Sequence, residues 1–251
     1  MTYFTLSLTL LFVLIPLLLA YFLKLGIEKD ILVATVRSVI QLLIVGYLLQ
    51  FIFDQDSPIF MILMVGLIIF AATHNARQKG INYKGITWKL ILTYVTIEVL
   101  TQAILIGLNI TPATPQYVIP ISGMVVGNAM VLSILFLNRL TSEVEDKQSE
   151  IELILSLGGS TKQAIHRQLI TSIKASTVPT IEKQKTMGLV QLPGMMSGQI
   201  IAGADPIQAV QFQLLILFIL LTTAILTSIM LGFLSYPTLF TEQMQLKQTF
   251  K

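Results

Sequence analysis

Seven long apolar runs govern what this chain can become. They cover about Tyr3–Leu23, Ile31–Phe53, Ile59–Thr73, Trp88–Leu108, Tyr117–Leu137, Met187–Gly203 and Ala209–Ser235. A bilayer-crossing helix needs roughly 20 mostly apolar residues, so each run reads as a span, the third and sixth being short. Of the 251 residues 54% are hydrophobic and 12% are charged, against about 25% charged in soluble domains. The expectation is an all-α, multi-pass protein of the cell membrane, with seven transmembrane helices in one transmembrane domain over residues 1–251. Tyr3–Leu23 does not read as a signal peptide, because no basic region precedes it and no A-x-A site follows.

The basic residues fall between alternate spans. Lys24, Lys29 and Arg37 lie in or near the first loop, and Arg77, Lys79, Lys84 and Lys89 in or near the third. Arg139, Lys147, Lys162, Arg167, Lys174, Lys183 and Lys185 lie in the fifth, and Lys247 and Lys251 in the tail. This bias predicts an outside N-terminus, a cytoplasmic C-terminus and an odd number of crossings. The net charge of +3 is therefore an orientation signal, and no nucleic-acid partner is expected. The absence of cysteine excludes disulfides, thiolate metal sites and thiol nucleophiles.

Polar residues inside spans are costly and mark packing or function. Arg37 and Gln41 share one helix face in the second span. Arg37 either snorkels to the headgroups or pairs with an acid inside the bundle. Glu98 lies deep in the fourth span and must pair or carry a proton. Arg37 is its natural partner, and a structural ion pair and a substrate-path role remain equally open. In the fifth span Gly123 and Gly127 form a small-residue face beside the amide of Asn128, flanked by Met124 and Met130. His74 and Asn75 at the inner edge of the third span read as interfacial polar residues.

The sixth run, MGLVQLPGMMSGQIIAGADP, is unusually rich in glycine and amides. Gly194, Gly198 and Ala202 recur every four residues, a spacing that lets membrane helices approach closely. Pro193 is expected to kink the helix. Gln191 and Gln199 should face protein or water. Helix packing alone and a bent helix beside a transport path both fit.

The segment 139–185 reads as a cytoplasmic helix–Gly-Gly–helix hairpin. Ile151, Ile154, Leu155 and Leu157 form an apolar stripe among acids; Ala164, Ile165, Gln168, Leu169, Ser172 and Ile173 form another. Ser160 is a candidate N-cap, and Pro179 is expected to end the second helix. Such a hairpin must lie on the membrane, on its own bundle or on a partner. Its acidic first helix favours a protein partner over an anionic lipid surface. The tail, residues 238–251, carries no usable signal.

No phosphate loop, H-E-x-x-H or G-x-S-x-G motif is present, so no catalytic residue is expected and the chain is not read as an enzyme. GLVQLPGMMSGQIIAGADPIQAVQFQ, the Arg37-to-Gln41 spacing, ISGMVVGNAM and EIELILSLGGSTKQAI together resemble the FetB-type permease family, which includes bacterial iron-export permeases and plant aluminium-tolerance permeases. The resemblance spans nearly the whole chain. It implies the membrane subunit of an ABC transporter, a homodimer bound to a separate ATPase that holds ATP and Mg. Glu152 and Gly158 are spaced as in the E-A-A-x-x-x-G coupling loop of importer permeases, with Leu153 and Ile154 in place of the alanines.

On this reading Glu150, Glu152, Leu155, Gly158 and Gly159 couple to the ATPase, while Gly123, Gly127, Pro193, Gly194 and Gly198 serve packing or bending. Arg37, Gln41, Glu98, Asn128, Met195, Met196 and Gln199 are substrate-path candidates. Iron export comes from the resemblance alone, because one carboxylate and thioethers make a weak iron site. A nucleotide sugar is an alternative cargo. A proton-coupled secondary transporter using Glu98, a mechanical transmitter and a scaffold without turnover are rival classes.

Overall fold

The computed structural model describes residues 11–55, 57–80 and 85–246. The chain divides into two compact units, Met1–Ser57 and Pro58–Lys251. In the first, α1 (Leu11–Phe22) packs on α2 (Glu28–Gln55). Lys24 and Gly26 both take positive φ in the turn between them.

The second unit holds α3 (Pro58–Lys79), α4 (Ile86–Gly107), α5 (Pro115–Asp146), α6 (Gln148–Ser156), α7 (Thr161–Thr186), α8 (Gly194–Ile201) and α9 (Pro206–Ser235), followed by a 3-10 turn over Tyr236–Leu239. Helix α5 is central and packs against α3, α4, α7 and α9. Val126, Ala129, Phe136, Leu137, Leu140 and Val144 on α5 are fully buried. The all-helical architecture follows from the solvent, since a helix satisfies its own backbone groups in hydrocarbon. Among the described residues, α2, α3, α4, α5 and the Pro206–Leu239 segment are long and apolar enough to cross a membrane. Helix α1 is apolar but shorter, and the first ten residues of the expected first span lie outside the described residues.

Three expectations about the second half are corrected. Met187–Gly203 does not form one kinked helix. Gly188 takes φ 90°, and the Thr186 carbonyl accepts from the Val190 and Gln191 N–H groups while Gly188 N–H donates to the Gln191 carbonyl. Pro193 is the N-cap of α8 and not a mid-helix kink. Lacking an N–H, it cannot continue the preceding turn as helix.

The second correction concerns Pro179. Helix α7 runs through it to Thr186, as membrane-type packing tolerates prolines whose freed groups neighbours can satisfy.

The third is the location of α7. Of the three surfaces open to it, it lies on its own bundle, packing along α5 and α9, whereas the sequence favours a protein partner. Its buried row is Ala164, Ile165, Gln168, Leu169, Ser172, Ser176 and Thr177, apolar at one end and small at the other. Small side chains let α9 come close. A methyl group on Gly232 of α9 would lie 3.3 Å from Phe136, 3.6 Å from Leu169 and 3.9 Å from Ile173. Farther along, the Ser176 and Ser228 hydroxyls bond, and Gln184 Nε2 donates to the Leu217 carbonyl at 2.9 Å. Leu217 is 11 residues into α9, which at 1.5 Å per residue places the end of α7 about 17 Å along that helix. Residues 139–146 likewise continue α5 and do not begin a hairpin.

Candidate functional site

Where α7 stops and α8 starts, the chain is broken beside the first half of α9, no more than about 17 Å from the start of that helix. The break leaves a cavity of about 160 Å³. Asn128 reaches it from α5, Thr180, Lys183 and Gln184 from α7, Gln191 from the break and Gln213 from α9. Asn128 is anchored by a 3.3 Å bond from Nδ2 to the Leu220 carbonyl. Broken helices at this depth are how membrane bundles place irregular backbone beside a solute, since such backbone is tolerated only against protein or a cavity.

A second cavity of about 390 Å³ lies between α5, α8 and α9. Met195 and Gln199 line it together with Gln116, Tyr117, Met124 and Phe212. Thus Asn128, Met195 and Gln199 line cavities, while Met196 is half-buried on α8 and lines neither. Gly123, Gly127, Gly194 and Gly198 do not support close helix approach within this chain, since a Cβ on any of them meets nothing within 4 Å.

Glu98 is 4% exposed and sits on α4. Its Oε1 accepts from Ser122 Oγ at 2.5 Å and Gln102 Nε2 at 2.9 Å. Gln102 Nε2 also donates to Ser122 Oγ at 3.2 Å. Glu98 Oε2 and Gln102 Oε1 are buried without a partner among the described residues. Among the described residues of its own unit Glu98 meets amide and hydroxyl donors and no cation. Arg37 and Gln41 belong to the other unit, one turn apart on α2.

At the end of the bundle, α6 and α7 meet in a sharp elbow. Gly158 takes φ 85°, and a Cβ on Gly159 would lie 2.6 Å from Ile154 Cγ2 and 2.8 Å from the Ile154 carbonyl. Only glycine fits either position without strain. Ser160 caps α7, as the sequence predicts, and the structure adds a reciprocal capping box with Gln163. Ile151 is buried and Glu150 pairs with Arg167 at 3.2 Å, whereas Leu157 is 79% exposed. Glu152, Leu155, Gly158 and Gly159 line a groove of about 850 Å³ whose other wall is the tail, Glu242–Leu246. The tail turns back on itself through the Thr241 N–H bond to the Gln245 carbonyl, and Phe240 and Leu246 are buried.

The model of the family described as "Uncharacterised protein family (UPF0014)" matches residues 3–240. The chain belongs to the UPF0014 family. It is 55% identical to "UPF0014 membrane protein YjkA" of Bacillus subtilis, over 99% of both chains. It is 41% identical to the Escherichia coli "Probable iron export permease protein FetB", over 98% of this chain and 95% of the relative. It is 32% identical to "Protein ALUMINUM SENSITIVE 3" of Arabidopsis thaliana, over 94% of this chain and 86% of the relative. No solved structure matches. The resemblance read from the motifs is thereby established, and the chain is a multi-pass membrane protein of the UPF0014 family.

In this UPF0014 chain, sequence reasoning missed Lys183, Gln184 and Gln213 at the break and the tail wall of the elbow groove. A signal for the first existed. Between Gln168 and Ile181 the sequence QLITSIKASTVPTI contains a single charge, Lys174, with Gln168, Ser172 and Ser176 at four-residue spacing. That is a membrane packing face. The tail residues carry no comparable pattern.

Proposed function

We propose that this chain is the membrane-spanning subunit of an ATP-driven exporter, with ATP and Mg held by a separate ATPase chain. The subunit would cross the membrane seven times, with the α7–break–α8 segment as the sixth crossing, the N-terminus outside and the elbow in the cytoplasm. Two copies would form the transport unit, and the open faces at Gly123, Gly127, Gly194 and Gly198 are available for contact between copies. No catalytic group is assigned to this chain. The cargo is proposed to be iron, on the name of the Escherichia coli relative.

One observation carries this reading. Helix α7 is a single 26-residue helix, about 39 Å long, with the elbow at one end and the break cavity at the other. The elbow presents Glu152, Leu153 and Leu157 outward, a surface for a soluble motor. A force on it moves α7 as a rigid rod and reshapes the cavity lined by Lys183 and Gln184. Glu150, through Arg167, ties the elbow to that rod.

The test is co-purification of the full-length protein with its ATPase, followed by ATP-dependent efflux of labelled iron from reconstituted vesicles. Co-purification without ATP-dependent efflux removes the transport role, and failure to co-purify removes the ATPase. A second reading, proton-coupled transport without an ATPase, is favoured by the unpartnered Oε2 of Glu98.

A further inference from the structure

The cavity at the helix break has one-sided chemistry, and its use as a cargo site rests on the transport reading above. Among the described residues that line it, Lys183 is the only ionised side chain. Around it stand four amides, from Asn128, Gln184, Gln191 and Gln213, and the hydroxyl of Thr180. No carboxylate, imidazole or thiolate lines the wall. The adjacent acid, Glu182, is taken by Lys185 at 2.7 Å, and among the described residues no carboxylate lies within ion-pair distance of the Lys183 ammonium.

Lys183 and Gln191 are exposed at the cavity, so an anion can reach the ammonium without displacing a carboxylate partner among the described residues. Side-chain amides can donate to the remaining oxygens of that anion. A bare transition-metal ion is a poor fit, because it needs carboxylate, imidazole or thiolate ligands. No group of three or more such side chains gathers among the described residues.

We propose that the break cavity binds the cargo through an anionic group, a carboxylate or a phosphate, with Lys183 as its counter-charge and the amides of Asn128, Gln191 and Gln213 as its donors. A metal cargo then passes this point only inside an anionic complex. The volume of about 160 Å³ takes the charged group, while the rest of a larger cargo extends along the bundle.

The test uses the full-length protein in phosphatidylcholine nanodiscs, with no ATPase present. Equilibrium dialysis measures binding of radiolabelled citrate, inorganic phosphate and Fe2+ alone. Citrate or phosphate is expected to bind saturably. Lys183→Gln weakens that binding at least about tenfold, the loss expected for one charge-assisted contact. Lys183→Arg restores it, and Lys174→Gln, on the same helix but away from the cavity, leaves it unchanged. Gln191→Leu, in the break and outside any helix, weakens it as well and stands in if Lys183→Gln does not fold.

Absence of anion binding overturns the proposal, as does wild-type binding in both Lys183→Gln and Gln191→Leu. Saturable binding of Fe2+ alone that survives Lys183→Gln also overturns it. Displacement of the labelled anion by phosphatidylglycerol overturns the solute assignment in favour of a lipid headgroup. Because the assay contains no ATPase, a failure of ATP coupling does not register in it, and its own failure leaves the co-purification result standing.

Discussion

Ser176 Oγ and Ser228 Oγ lie 2.9 Å apart, buried between α7 and α9. The bond joins a helix that reads as cytoplasmic in the sequence to a helix long and apolar enough to cross a membrane. The chain has no cysteine, so cysteines placed at 176 and 228 meet no competing thiols. The two positions are within reach of disulfide geometry. Ser176→Cys with Ser228→Cys should cross-link rapidly under mild oxidation, read as a shift in gel mobility after cleavage between the two positions. Lys174→Cys with Ser228→Cys, on the exposed side of α7, should not.

Gly232 gives α7 its close approach to α9. A Cβ there meets Phe136 at 3.3 Å and Leu169 at 3.6 Å. Gly232→Leu must push α7 outward or force off-rotamer side chains, at a cost of about 1–3 kcal/mol. Thermal unfolding of the detergent-purified protein should show a lowered Tm. The same change at Gly127, where an added Cβ meets nothing within 4 Å, should leave the Tm of the isolated subunit near the wild-type value.

The difference between Gly127 and Gly232 shows what the sequence could convey. Spacing identified Gly123 and Gly127 as a small-residue face, but spacing cannot say whether a helix lies opposite. Gly232 sits in a lipid-like run, and only the partner helix reveals its role. Elements whose pattern is set by local chemistry were legible: five of the seven predicted spans, the Ser160 cap, the Gly158–Gly159 turn and the buried position of Glu98. Helix α7 was not. Its lysines and its glutamines look like loop residues until α5 and α9 are seen to shelter the opposite face. The break at Gly188–Pro193 was read as a kink because apolar length alone cannot distinguish one bent helix from two short pieces.

The elbow separates fold from docking. Leu157 is 79% exposed, so Leu157→Asp should change stability by no more than about 0.5 kcal/mol. On the proposed function it should nevertheless abolish co-purification with the ATPase. Gly158→Val is different, because a β-branched residue at φ 85° is strained by about 1–3 kcal/mol. That variant should lose both Tm and co-purification. Retained co-purification in Leu157→Asp would move the docking surface elsewhere.

Glu98 offers the sharpest contrast between the two transport readings. Its Oε1 accepts from Ser122 and Gln102, while its Oε2 and the Oε1 of Gln102 have no donor among the described residues. Glu98→Gln keeps an acceptor for both neighbours and adds amide hydrogens that the orphaned Gln102 oxygen can accept. Its Tm should match or exceed that of the wild type. Glu98→Leu removes the shared acceptor, leaving Ser122 Oγ only the Val118 carbonyl and Gln102 Nε2 only Ser122 Oγ, at about 1 kcal/mol for each hydrogen bond lost, and its Tm should fall. If ATP hydrolysis drives transport, Glu98→Gln leaves ATP-dependent efflux intact, because no proton need enter or leave this site. If a proton gradient drives it, the same variant folds and transports nothing, because an amide cannot take up and release the proton. Measuring efflux from vesicles with ATP alone and with a proton gradient alone, in wild type and Glu98→Gln, distinguishes the two.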